Sequence, residues 1–82
     1  MEFSDKEKKM ARFFVEREGS GILEEIRDID FFEAGIMDSL DLVSLAVFVE
    51  QEFGQKIDLT NPTTMLALRR FDSLLALLRD QV

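Results

Sequence analysis

Gly35-Ile36-Met37-Asp38-Ser39-Leu40-Asp41-Leu42-Val43-Ser44-Leu45-Ala46-Val47-Phe48-Val49-Glu50-Gln51-Glu52-Phe53-Gly54 decides how this chain folds. The stretch predicts a helix from Ser39 to Phe53, with Asp38 as its N-cap and Gly54 just past its end. At ~1.5 Å per residue the helix is roughly 22 Å long. Between Leu40 and Val49 eight of ten residues are apolar, Asp41 and Ser44 being the exceptions. Leu42, Leu45, Ala46, Val49 and Phe53 recur at helical spacing and form a core stripe. Leu40, Val43 and Val47 form a second stripe. A helix buried on every side would account for both. So would an exposed docking patch rimmed by Asp38, Asp41, Glu50 and Glu52.

The flanking sequence is also helical. Ser4 and Glu7 have capping-box spacing, so a first helix starts at Ser4. Met10, Phe13 and Phe14 give it an apolar face, and Gly19-Ser20-Gly21 ends it. Residues 22–37 are a long connection, but Ile22, Leu23, Ile26, Ile29, Phe31 and Phe32 need burial, which predicts a packed loop with about one helical turn. Gly35 supplies a backbone angle that other residues avoid. Asn61-Pro62 starts a short third helix over about 62–68. A last helix runs from near Asp72 to about Gln81, with Leu74, Leu75, Leu77 and Leu78 inward. Strand signals are weak. The fold class is all-α, a small bundle of three main helices plus one short helix, and 82 residues make residues 1–82 one domain.

Composition removes several function classes. The chain has no Cys and no His. There is accordingly no disulfide, no thiolate, no zinc site of the usual kind and no His-activated Ser nucleophile. An enzyme would have to work with carboxylates or Lys alone, so a catalyst is not expected. Asp28, Asp30 and Glu33 lack the alternating ligands and central Gly of a calcium loop and read as part of a loop that buries aromatics. The net charge of −7 is unevenly spread: residues 18–55 carry ten acidic groups and one basic group, Arg27. This repels nucleic acid and favours basic protein surfaces. No apolar run exceeds five residues, so neither a membrane span nor a signal peptide is read, and a soluble cytoplasmic monomer is expected.

Ser39 stands at the head of the central helix, where unpaired N–H groups and a partial positive charge would favour a phosphodiester. By themselves these residues are also an ordinary helix start. Asp38-Ser39-Leu40, with 37 residues before it, a helix of this length after it and an acidic rim, resembles the phosphopantetheine attachment site of acyl carrier and peptidyl carrier proteins. The resemblance covers nearly the whole chain. Phe31-Phe32-Glu33 is similar to the acidic, aromatic lead-in of such carriers, Glu50-Gln51-Glu52-Phe53-Gly54 to their second-helix ending, and Phe71-Asp72-Ser73-Leu74 to the start of their last helix. Asp-Ser-Leu thus occurs twice. Ser73 follows no Gly-containing lead-in and suits a helix cap, a job that Asp72 or Ser73 could do.

The resemblance implies that 4′-phosphopantetheine is attached to Ser39 by a phosphopantetheinyl transferase, which uses magnesium bound mainly in its own site. The arm's thiol then holds cargo as a thioester. It implies roles in transferase recognition and capping for Asp38 and Asp41. Leu40, Val43 and Val47 would form the apolar docking surface, with Glu50 and Glu52 on its acidic rim. The implied partners are that transferase, a loading ligase or acyltransferase, and a downstream synthase or transferase. Two residues separate Gly35 from Asp38, whereas carriers of primary fatty acid synthesis usually have one. Ser44 stands where those are usually acidic, and Phe48 where they have a small residue that leaves room for an interior pocket. The spacing is more similar to D-alanyl carriers and stand-alone carriers of specialised pathways. A stand-alone carrier of a specialised acyl pathway ranks first, an aminoacyl or D-alanyl carrier second. Outside the family the rival is a helical adaptor with Ser39 unmodified.

Overall fold

Ser4 and Glu7 close the capping box that their spacing predicts. In the computed structural model, which describes residues 2–78, Ser4 Oγ accepts from the Glu7 N–H at 3.1 Å and Glu7 Oε1 accepts from the Ser4 N–H at 2.8 Å. Helix α1 spans Asp5–Glu18 and buries Met10, Ala11, Phe13 and Phe14. It stops at Gly19, whose φ of +87° lies in the region that favours glycine. A 3₁₀ turn, Ser20–Glu24, carries the chain off α1 and buries Ile22.

Helix α2 spans Ser39–Phe53, with Asp38 as N-cap and left-handed Gly54 as C-cap, as expected. Leu42, Leu45, Val49 and Phe53 are buried, so the first stripe is the core face, while Ala46 lies half-buried at its edge. Helix α3 spans Pro62–Ala67; Asn61 Oδ1 accepts from the Thr63 and Thr64 N–H groups at 2.9 and 3.2 Å. Helix α4 spans Phe71–Leu77 and buries Phe71 and Leu74. The fold is an all-α bundle of four helices; α1 and α2 are long, α3 and α4 short. Among the described residues no buried side chain is polar or charged.

Helix α4 departs from expectation in its cap and at its far end. It begins at Phe71, one residue from the expected start near Asp72, but its N-cap is Arg70, with no capping side chain, where Asp72 or Ser73 was expected. Arg70 is held extended by an isolated antiparallel bridge to Asp30. Ser73 lies inside the first turn, three residues past the N-cap, and its hydroxyl donates to the Ala67 carbonyl at 2.6 Å and the Arg70 carbonyl at 3.2 Å, closing the α3–α4 corner. At the other end Leu78 is already extended, with ψ of 132°. Residues 79–81 of the expected span lie outside the described residues.

The connection before α2 is ordered by buried aromatics, as its composition requires. Phe31 is fully buried and stacks on Phe14, with ring centroids 4.2 Å apart. Its N–H donates to the Arg69 carbonyl at 2.7 Å, and its carbonyl accepts from the Ile36 and Met37 N–H groups at 3.1 and 3.2 Å. Asp30 Oδ1 accepts from the Phe32 and Glu33 N–H groups, and the Arg69 guanidinium lies 3.0 Å from Asp30 Oδ2. Asp30 is thus committed to a turn and an ion pair; Asp28, Asp30 and Glu33 build a loop, not a cation site. Gly35, at φ +77°, turns the chain toward Met37, whose buried side chain anchors the backbone one residue before Asp38.

Candidate functional site

The start of α2 is a second capping box. Asp38 Oδ1 accepts from the Leu40 and Asp41 N–H groups, both at 3.0 Å, and Asp41 Oδ2 accepts from the Asp38 N–H at 2.9 Å. Asp38 therefore caps the helix as expected, and Asp41 takes part in the cap as well. Ser39 is the first helical residue and is exposed. Buried Met37 precedes it and exposed Leu40 follows, so the chain leaves the core just where the hydroxyl is presented.

The second stripe of α2 is not buried. Leu40 is 79% exposed, Val43 53% and Val47 48%. Among the described residues Leu66 of α3, 66% exposed, is the other large apolar side chain in water. It borders an open groove shared with Phe32, Leu42, Met65 and Arg69, which sequence reasoning missed. Thr63, Leu66 and Arg70 recur at helical spacing and are all exposed, but Leu66 alone in that outer face is apolar, so its own polarity pattern gave a weak signal.

The rim is less uniform than expected. Glu50 is exposed. Asp41 forms an ion pair with Arg17, and Glu52 one with Arg12, both arginines reaching across from α1. Arg17 also lies over the Phe13 ring, 5.2 Å from its centroid, and Arg12 over Phe48 at 5.6 Å. The sequence signals this cross-helix pairing only through the cationic character of residues 1–17 beside the acidic middle. Phe48 is half-buried at the α1–α2 seam, edge-on to Phe13 with centroids 5.4 Å apart, so it does not fill the interior.

A sequence profile for the family described as "Phosphopantetheine attachment site" matches residues 21–78. The chain belongs to this family of carrier proteins. No curated protein and no solved structure matches it. Carriers of this family are not catalysts. They bear covalent 4′-phosphopantetheine and are served by a phosphopantetheinyl transferase and by pathway enzymes. In this carrier no helix among the described residues is long and apolar enough to cross a membrane, and no group of three or more acidic, His or Cys side chains there could hold a metal ion.

The matched segment contains both Asp-Ser-Leu sequences, and the carrier's structure treats their serines differently. Ser73 is half-buried with its hydroxyl hydrogen committed to backbone carbonyls. Ser39 is exposed at a helix start, where the dipole favours an anion. The Asp38 and Asp41 carboxylates hold backbone N–H groups of the same cap, and Arg17 lies against Asp41. These residues fit a phosphodiester on Ser39.

Proposed function

We propose that Ser39 of this carrier bears 4′-phosphopantetheine and that α2 presents the loaded arm to partner enzymes. The observation that supports this most is an exposed serine at the first position of a doubly capped helix, beside an exposed apolar stripe, inside the family match. In the transfer the Ser39 oxygen displaces adenosine 3′,5′-bisphosphate from coenzyme A, forms the phosphodiester, and gives its proton to a base of the transferase. The arm supplies a terminal thiol, the sulfur this chain lacks, on which cargo is held as a thioester. Asp38 and Asp41 fix the backbone around Ser39 and shape what the transferase meets. Leu40, Val43 and Val47 supply apolar contact, and Glu50 and Glu52 lie on the rim.

The carrier is a stand-alone acyl carrier of a specialised pathway, one domain over residues 1–82, cytoplasmic and monomeric, loaded by a ligase or acyltransferase and unloaded by a synthase or transferase. An aminoacyl or D-alanyl carrier is the second reading, favoured by the two-residue interval between Gly35 and Asp38. Phe48 does not bear on that choice by occupying the interior, since it packs on Phe13.

Incubation with coenzyme A and a broad-specificity phosphopantetheinyl transferase tests the reading by intact mass. The wild-type chain and Ser73→Ala gain one phosphopantetheine, and Ser39→Ala gains none. A wild-type mass that stays unchanged, as for Ser39→Ala, would favour the adaptor reading instead.

A further inference from the structure

Ten acidic groups against one basic group in residues 18–55 predict an acidic docking face that calls for a basic partner groove. The structure distributes that charge differently. Of the four carboxylates around the exposed stripe of α2, Asp41 is held by Arg17 and Glu52 by Arg12. Asp41 keeps only 17% of its side chain exposed. Asp38 spends its Oδ1 on two backbone N–H groups. Glu50 is exposed and, among the described residues, forms no ion pair. The guanidiniums are themselves placed, each over an aromatic ring of the α1–α2 seam. Both arginines lie outside the matched segment 21–78, so the counterions come from the helix that precedes it.

We propose that Arg12 and Arg17 are built-in counterions of the docking face, which hold two of its carboxylates against a partner's cations. The inference rests on the reading of this face as the one that partner enzymes meet. The partner that fits is a largely apolar surface for Leu40, Val43 and Val47 with a cation set for Glu50, not a uniformly basic groove. A basic partner must displace the arginines to reach Asp41 or Glu52. Exposed ion pairs are weak and salt-sensitive, so each shifts such a competition by up to about fivefold. The arginines therefore tune encounters without blocking them.

The test uses the unmodified carrier, coenzyme A and a broad-specificity phosphopantetheinyl transferase as the probe partner. Arg12→Ala/Arg17→Ala is compared with Lys8→Ala/Lys56→Ala, which removes the same charge from exposed positions off α2. At low ionic strength kcat/KM for the arginine variant should exceed that for the lysine variant by about twofold to fivefold. The excess should vanish near 0.5 M salt, where the Debye length falls to about 4 Å. An arginine variant no faster than the lysine variant at low salt overturns the inference. Should loss of the arginines unfold the bundle, Glu50→Gln and Glu52→Gln decide the matter. The inference requires Glu50→Gln to lower kcat/KM more, and equal or reversed losses overturn it. A wild-type chain that gains no mass is a separate result, which overturns the Ser39 reading on which the inference rests.

Discussion

Leu45 and Val47 are two residues apart on α2, one with no exposed surface and the other 48% exposed. At about 100° per residue that separation carries a side chain from the core to water. Leu45→Ala should destabilise the carrier by roughly 2–5 kcal/mol, because a buried leucine leaves a cavity as well as losing burial. Chemical denaturation measures this, and a loss below about 1 kcal/mol would mean the site collapses freely. Asp38→Ala removes the acceptor for two N–H groups and should cost about 1 kcal/mol. It also frees the backbone that presents Ser39, so transferase kcat/KM should fall by more than stability alone explains. Full retention of that rate would confine Asp38 to capping.

At the scale of the element, α2 has two faces with separate duties. Val43→Glu and Val47→Glu should each change the melting temperature by only a few degrees, as surface substitutions do. They should lower partner turnover about tenfold, the effect of removing one well-packed interface contact. A melting loss as large as that of Leu45→Ala would place these valines in the core. The limits of α2 were legible because its signals are local: an Asp cap, a following Gly and apolar spacing all lie within the segment. The excess of apolar residues marked the second stripe but left open a helix buried on every side, and the exposure of Leu40, Val43 and Val47 decides for the outer face. The start of α4 near Asp72 was legible to within a residue, but its cap was not, since neither Asp72 nor Ser73 provides it. What sets it is Arg70 paired with Asp30, forty residues earlier, and no local pattern encodes that bridge. The same holds for Arg12 and Arg17: their charges were visible, but which carboxylates they meet depends on how α1 lies against α2.

Across the whole molecule, ion pairs join segments distant in sequence. Asp30 and Arg69 tie the loop before α2 to the α3–α4 corner, and Glu7 and Arg27 tie α1 to the start of that loop. The Asp30 carboxyl is held below the usual carboxylate range, chiefly by the Glu33 N–H and also by Arg69 and the Phe32 N–H. Glu7 is lowered by the Ser4 N–H and Arg27, and Asp58 by the Thr60 hydroxyl and N–H. A folded-state value below the unfolded one makes a contribution that is present above the unfolded pKa, near 4, and is lost as pH falls through the lowered value. Asp30→Asn should therefore melt lower than wild type at pH 7, with the gap narrowing once the pH drops below about 4. Net self-repulsion of the −7 chain is nearly common to both proteins and largely cancels in that difference. A gap that stays constant from pH 7 to 2 would assign Asp30 no ionic role.

The most direct test of the central claim is peptide mapping of the carrier after transfer, by tandem mass spectrometry with phosphopantetheine ejection. The modification should fall wholly on the peptide that contains Ser39, with the peptide containing Ser73 unmodified. Ejection from the Ser73 peptide, or from neither, would contradict the account.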